Sequence, residues 1–139
     1  MTFPQVNYLA VLVGGLAIFM LGGLWYSPVL FAKRWISLQG VTEEEMKSKS
    51  QGSMPILYLQ AFITGVLVSW AMAVILNHFV NLTFLRAGLV GVLCWLGFSA
   101  APSYATAIFS QKPRQLWLID SAYNLASFVI AALILAAWR

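Results

Sequence analysis

The spacing of charged residues constrains this chain more than any other feature of its sequence. Lys, Arg, Asp and Glu are absent from residues 1–32, 50–85 and 87–111, and only Asp120 interrupts the stretch 115–138. Each stretch is long enough to cross a bilayer, because a hydrocarbon core of about 30 Å needs about 20 helical residues. We therefore predict an all-α integral membrane protein built as a four-helix bundle.

Composition and length support the same class. The chain has 139 residues, of which 61% are hydrophobic and 9% charged, whereas soluble domains average about 45–50% apolar and about 25% charged residues. We predict a single transmembrane domain over residues 1–139, with spans at about 6–27, 54–78, 85–109 and 116–138. Because these spans use most of the chain, a site must lie between the helices or in the first connecting loop.

The basic residues are distributed unevenly between the loops. Six of the eight follow the first and third spans, and only Arg86 and Arg139 belong to the other side. The positive-inside rule then places the first and third loops in the cytoplasm and both termini outside it, in a cell (cytoplasmic) membrane. Basic residues beside spans indicate anionic lipid headgroups and not nucleic acid, so membrane lipids are the expected partners.

The segment after the first span has its own pattern. Phe31, Trp35 and Leu38 share one helical face, and Lys33 and Arg34 share the opposite face. A helix with this division lies in the membrane plane, with its apolar face toward the acyl chains. We therefore predict an amphipathic interfacial helix over residues 29–38.

Small residues recur on three of the predicted spans. Lipid provides no hydrophobic force between helices, so small side chains favour association by letting backbones approach closely. This pattern leaves two interpretations open, packing within one bundle or contact between the copies of a homo-oligomer. The residues concerned are Gly15, Gly22, Gly23, Ala61, Gly65, Ser69, Ala73, Gly97 and Ala101.

Asp120 is the one acid inside a span, and polar residues cluster at its depth. Asn124 and Ser127 follow it at helical spacing, and Pro102 interrupts the third span nearby because its ring removes a hydrogen bond to the carbonyl of Phe98. We predict a bend there and a polar cavity at the cytoplasmic side. Its candidate residues are Asp120, Asn124, Ser127, Ser99, Ser103, Tyr104, Gln60 and Tyr26.

Two functional interpretations of Asp120 remain open. A buried acid that gains and loses a proton can serve binding or transport of a small molecule or a proton. Alternatively, the acid is a structural anchor near a helix N-terminus, in an accessory or structural protein that acts through helix or lipid contacts. An enzyme is disfavoured because one acid has no nucleophile or metal-ligand set beside it, and the sequence implies no metal and no cofactor.

Three segments carry a resemblance to a known family. The run Leu21–Trp35 (LGGLWYSPVLFAKRW), the acidic loop at Glu43–Glu45 and the late LIDSAYN segment around Asp120 resemble the small bacterial membrane proteins grouped as domain of unknown function 1761. The resemblance implies a small multi-span fold of uncharacterised activity. Its recurring features map onto Gly23, Trp25, Tyr26, Pro28, Trp35 and Asp120, and Ala32 departs from the glycine expected there.

Overall fold

The computed structural model describes residues 5–50 and 53–139, with the side chain of Ser50 excluded, so residues 1–4 of the predicted 1–139 domain lie outside it. The described residues contain helices and no strand. The helices are α1 (Tyr8–Trp25), α2 (Ala32–Leu38), α3 (Glu43–Ser50), α4 (Met54–Leu76), α5 (Phe84–Trp95), α6 (Ala101–Phe109) and α7 (Arg114–Ala137), with a π-helical segment (Leu96–Ala100) joining α5 to α6.

Local capping explains where the long helices begin and end. The side chain of Asn7 accepts hydrogen bonds from the backbone N–H groups of Leu9 and Ala10 at 3.1 and 3.2 Å, which begins α1 two residues after the predicted start. Asn77 caps the end of α4, and Pro113 precedes α7. Proline fits before a helix because the first helical N–H groups need no partner within the helix.

Among the described residues, four helices are long and apolar enough to cross a membrane: α1, α4, the continuous helix Phe84–Phe109 and α7. Only 22–28% of the most apolar window of each helix is buried inside the bundle. Large side chains such as Met20, Leu93 and Phe98 are 65–77% exposed. An outer surface of this kind suits hydrocarbon, because contiguous apolar patches of this extent are rare on soluble proteins.

Helix α7 is central and packs against α1, α4 and α5, while α1 and α4 pack against each other. Gly15 and Gly65 bring α1 and α4 together. A Cβ atom added to Gly65 would lie 2.9 Å from the carbonyl oxygen of Gly15, and one added to Gly15 would lie 2.8 Å from the Cα of Val66. Gly65, Ser69 and Ala73 are buried, so this part of the small-residue pattern packs within the chain.

Helix α5 packs on α7 through different residues from those predicted. Gly91 approaches α7 so closely that an added Cβ would lie 3.1 Å from the carbonyl oxygen of Phe128. Gly97 has no atom within 4 Å of an added Cβ, and Ala101 is exposed. Gly97 and Ala101 therefore do not pack within the described part of the chain, and of the two interpretations of the small-residue pattern only contact between copies remains for them.

The predicted bend before Pro102 takes the form of that π-helical segment. The N–H of Ala101 bonds to the carbonyl of Leu96, five residues earlier, so the helix widens for one turn and then continues as α6. The hydroxyl of Ser103 donates to the carbonyl of Ala100 at 3.1 Å, and not to that of Phe98. π-Helical turns are often found beside functional sites.

The interfacial segment is shorter than predicted. Helix α2 begins at Ala32 and not at residue 29, because the preceding residues fold into turns at the end of α1. In these turns the N–H of Phe31 bonds to the carbonyl of Trp25 at 3.1 Å, and the N–H of Ala32 bonds to that of Ser27 at the same distance. This return of the chain directs α2 toward α7.

Candidate functional site

Asp120 lies in the second turn of α7, at the end of the bundle formed by residues 26–50, 53 and 110–113. This end carries Lys33, Arg34, Lys47, Lys49, Lys112 and Arg114, and is called the basic end below. Oδ1 of Asp120 accepts a hydrogen bond of 2.6 Å from the Tyr26 hydroxyl and one of 3.0 Å from the Trp35 indole nitrogen. One carboxylate oxygen therefore joins α7 to the end of α1 and to α2.

The neighbouring residue Trp25 holds Tyr26 in place. Its indole N–H donates to the carbonyl of Ile119 at 3.1 Å, so adjacent residues of α1 bind adjacent residues of α7. The ring of Trp25 contacts that of Phe31 at a centroid distance of 5.0 Å. The Tyr26 and Trp35 rings meet edge to face at 5.4 Å, an arrangement that favours aromatic pairs.

Tyr123 completes the cluster, one helical turn after Asp120. Its hydroxyl donates to the carbonyl of Ile18 at 3.1 Å, and its ring lies 5.5 Å from that of Tyr26. Gly22 makes room for it, because an added Cβ would lie 2.9 Å from the Tyr123 hydroxyl. We call Trp25, Tyr26, Phe31, Trp35 and Tyr123 the aromatic cluster.

Tyr26 acts as a donor toward Asp120 over a wide range of pH. It lies one residue beyond the end of the first span. Burial raises the pKa of its phenol, and the hydrogen bond to Asp120 and the negative charge of that carboxylate raise it further. The phenol therefore keeps its proton near neutral pH.

A polar cavity of about 270 Å³ lies between α6 and α7, on the other side of Asp120. Helix α6 touches α7 less than α5 does, so the two helices separate after the π-helical segment. Trp117 bridges the gap by donating its indole N–H to the Ser103 hydroxyl at 3.0 Å. The polar residues of the wall are Ser103, Thr106, Lys112, Asp120, Ser121 and Asn124.

Ser121 is the least satisfied polar group of this cavity. The residue is part of the wall but only 3% exposed, and its hydroxyl is buried without a hydrogen-bond partner among the described residues. A buried hydroxyl without a partner costs about 1–3 kcal/mol. Ser127 is equally buried, but its hydroxyl bonds to the carbonyl of Tyr123 at 2.9 Å. Ser121 therefore offers an unused donor and acceptor at the cavity wall.

The structure brings together only part of the predicted polar set. Tyr26 bonds to Asp120, while Ser103 and Asn124 line the polar cavity with it. Tyr104 instead contacts the ring of Trp117 at 4.9 Å.

Three other candidates lie apart from this cavity. Ser127 bonds to its own helix, and Ser99 lies half-buried in the π-helical segment. Gln60 is exposed, because it lies five residues before the α1-facing Gly65, about 140° around the helix. Gln60 is therefore not among the residues that line the polar cavity with Asp120.

The residues predicted as interfacial divide between two environments. Lys33 is exposed, whereas Phe31 contacts Trp25. Arg34 donates to the side chain of Gln115 on α7, and Trp35 reaches Asp120. The helical face of Phe31 and Trp35 therefore serves contacts inside the protein, since the turn at the end of α1 aims that face at the bundle.

Sequence reasoning missed several residues that form the site. Three of them could have been inferred from the position of Asp120, because they lie within about one turn of it on the same helix: Trp117, Ser121 and Tyr123. Trp95 was not foreseeable in this way, since its indole reaches across from α5 to donate to the carbonyl of Ser121 at 2.8 Å.

A comparison with known protein families matches residues 9–136 to a family described as Protein of unknown function (DUF1761). The chain belongs to the DUF1761 family. The match runs from the first turn of α1 to the last turn of α7, so the aromatic cluster and the polar cavity lie within the DUF1761 region. Searches of curated proteins and of solved structures found no match.

Proposed function

We propose that this chain is an integral membrane protein that binds a small polar solute in the polar cavity, with Asp120 as the charged acceptor. One observation carries the proposal. Within the described residues, both side-chain hydrogen bonds to Asp120 end on Oδ1, while the residue also lines the cavity. Two donors from other helices therefore fix the carboxylate, and the second oxygen is the atom that meets a ligand.

The size and chemistry of the wall support a small solute with a cationic group. A volume of about 270 Å³ falls just below the range of about 300–1,000 Å³ typical of drug-sized ligands. Asp120 and the unpartnered Ser121 hydroxyl can accept from an ammonium group. Lys112 lines the same cavity, so a solute that also carries a carboxylate has a partner for it.

We further propose that the solute competes with a proton for Asp120, which would couple solute movement to proton movement. The other titratable groups near the carboxylate are Tyr26, which donates to it, and Lys112 on the cavity wall. Loss of the Asp120 charge removes the attraction for a cation, so solute release accompanies proton uptake. The basic end faces the cytoplasm in this proposal, as the distribution of basic residues favours.

The test uses methylammonium, glycine and acetate as probes of the purified protein in detergent. A ligand that binds only the folded state raises the melting temperature. Methylammonium and glycine should raise the melting temperature of the natural protein, and acetate should leave it unchanged. Lys112→Gln should weaken the response to glycine but not to methylammonium, whereas Lys49→Gln, an exposed charge on α3, should change neither.

Asp120→Asn separates this function from a structural role. The amide oxygen of asparagine can accept both hydrogen bonds that Oδ1 accepts, so the variant keeps the fold and loses the charge. We expect a folded protein with no response to methylammonium or glycine. An unchanged response in this variant would contradict the proposal.

A structural function is the second candidate, and the same two hydrogen bonds favour it. Asp120 ties α2 to α7 through Trp35, so the carboxylate can serve only to dock the interfacial helix in an accessory protein. In that case Asp120→Asn changes the melting temperature, and neither the natural protein nor the variant responds to the probes. Absence of a probe response in the natural protein would favour this candidate.

A further inference from the structure

A second cavity of about 580 Å³ lies on the other side of the aromatic cluster, between α1 and α4 at the basic end. Its wall runs along α4 from Met54 to Thr64, which is about 15 Å at 1.5 Å per residue. That length is half of a hydrocarbon core of about 30 Å. The cavity is open along exposed residues of both helices, and is called the groove below.

The groove exists because α1 and α4 diverge after their close contact at Gly15. Phe19 wedges between them, with its ring edge-to-face with those of Tyr58 and Phe62 at 6.3 and 6.1 Å. Gly23 then leaves space, since an added Cβ would meet no atom within 4 Å. A glycine at this position keeps the groove empty of side chains.

Most polar atoms in the wall of the groove are already bonded within the protein. The Tyr26 hydroxyl and the Trp35 indole nitrogen donate to Asp120, and the Tyr123 hydroxyl donates to Ile18. The Thr64 hydroxyl donates to the carbonyl of Ala61 at 2.8 Å. The groove therefore presents carbon surfaces and aromatic rings, which suit a hydrocarbon chain better than a polar solute.

Positive charge lies at the same end of the bundle as the groove. On α2, which contributes Trp35 to the wall, Lys33 and Arg34 occupy the face opposite Trp35, and Lys33 is exposed. Arg34 bonds to Gln115. From the apolar wall and the positive charge of the basic end we infer that the groove binds one acyl chain of an anionic phospholipid, with its headgroup among the basic residues of this end, of which Lys33 lies on a helix that forms part of the wall. The site is separate from the polar cavity and depends only on insertion of the helices in a bilayer.

Native mass spectrometry of the delipidated full chain, mixed with dioleoylphosphatidylglycerol or dioleoylphosphatidylcholine, tests this inference. One phosphatidylglycerol molecule should remain bound to the natural protein more strongly than phosphatidylcholine. Gly23→Leu should fill the groove and reduce phosphatidylglycerol binding to the level of phosphatidylcholine. Gly88→Leu is the matched control, because Gly88 on α5 also has no atom within 4 Å of an added Cβ.

The headgroup contact is tested with Lys33→Gln, which should weaken phosphatidylglycerol binding by about fivefold, the effect of one basic residue near an anionic surface. Lys49→Gln should leave it unchanged. Circular dichroism should show equal helix content in all variants. Equal retention of both lipids by the natural protein, or undiminished binding by Gly23→Leu, would overturn the inference. Asp120→Asn should keep the lipid, so failure of solute binding and failure of lipid binding are separate outcomes.

Discussion

The two ends of the bundle are packed by opposite means. In the middle of the bundle, α1 and α4 approach backbone to backbone at Gly15 and Gly65, and toward the end that carries Asn77 and Arg139 the side chains of Met72 and Leu76 are fully buried. The described residues at that end line a cavity of about 50 Å³ and an open, wholly apolar depression of about 440 Å³ along α1 and α4, between Tyr8 and Trp70. At the basic end, aromatic rings with polar tips separate the helices and leave cavities of about 270 and 580 Å³.

This difference shows how one small bundle combines stability with open space. Small residues on both helices allow close contact, and dispersion forces act over the whole interface. Large aromatic residues hold the helices at a distance, and their N–H and O–H groups fix that distance by bonding to α7. The two regions should therefore respond differently to substitution, because the closely packed part supports the fold and the basic end carries the two proposed binding sites.

The largest effect is expected from a bulky residue at the close contact. Gly15→Leu places a side chain against the backbone of Val66, where an added Cβ already lies at 2.8–2.9 Å. We expect a loss of about 3 kcal/mol or more in the free energy of unfolding, since overpacking of this kind forces the helices apart. Thermal unfolding in detergent, followed by circular dichroism, measures it.

Gly23→Leu on the same helix is the control for that variant. Because this position faces open space, its stability should change by about 0.5 kcal/mol or less. Equal losses at Gly15 and Gly23 would contradict the contrast between the two regions.

The second largest effect is expected at Asp120. Asp120→Ala leaves the Tyr26 hydroxyl and the Trp35 indole without their acceptor, and each unpaired buried donor costs about 1–3 kcal/mol. We expect a combined loss of about 2–5 kcal/mol for the alanine variant. Asp120→Asn should lose about 1 kcal/mol or less, since its amide oxygen replaces Oδ1. Similar losses in the two variants would show that the charge, and not the hydrogen bonding, holds the basic end together.

The sequence predicted the long helices and placed Tyr26 in the same candidate set as Asp120, but it did not predict most of the cluster around them. The helices follow from apolar stretches, and the place of Tyr26 in that set follows from similar depth in the membrane. The hydrogen bond from Trp35 to Asp120 could not be predicted from the sequence, because an amphipathic pattern does not indicate whether the apolar face of a helix contacts lipid or protein. The turn over residues 27–31 decides that, through backbone hydrogen bonds that the side chains do not specify.

The packing of the third span shows a second limit of the sequence. Gly91 and Gly97 are equally small, and both lie on an apolar helix. The π-helical segment between them turns one toward α7 and the other away from any contact. Pro102 predicts a distortion at this place but not the size of the shift in register.

A smaller effect is expected from pH at the basic end. The raised pKa of Tyr26 means that the folded state keeps a proton which an unfolded chain releases at about pH 10. Its contribution to stability is therefore present below that pH and is lost as the pH rises above it. Melting temperature should fall with pH above about 10 more steeply for the natural protein than for Tyr26→Phe. Tyr8→Phe, at an exposed residue of the opposite end, should keep the natural slope.

The smallest effect on stability, and the sharpest test of the polar cavity, is expected at Ser121. Ser121 and Ser127 are both 3% exposed on α7, but only the Ser127 hydroxyl has a partner. Ser127→Ala should cost about 0.5–1.5 kcal/mol, the net value of one hydrogen bond. Ser121→Ala should be neutral or slightly stabilising in thermal unfolding, because it removes a hydroxyl that gains nothing from folding. It should nevertheless weaken the response to methylammonium, since in the proposed function the solute bonds to this hydroxyl. A loss of stability at Ser121 equal to that at Ser127, with probe binding intact, would show that this hydroxyl serves the fold and that the cavity does not use it.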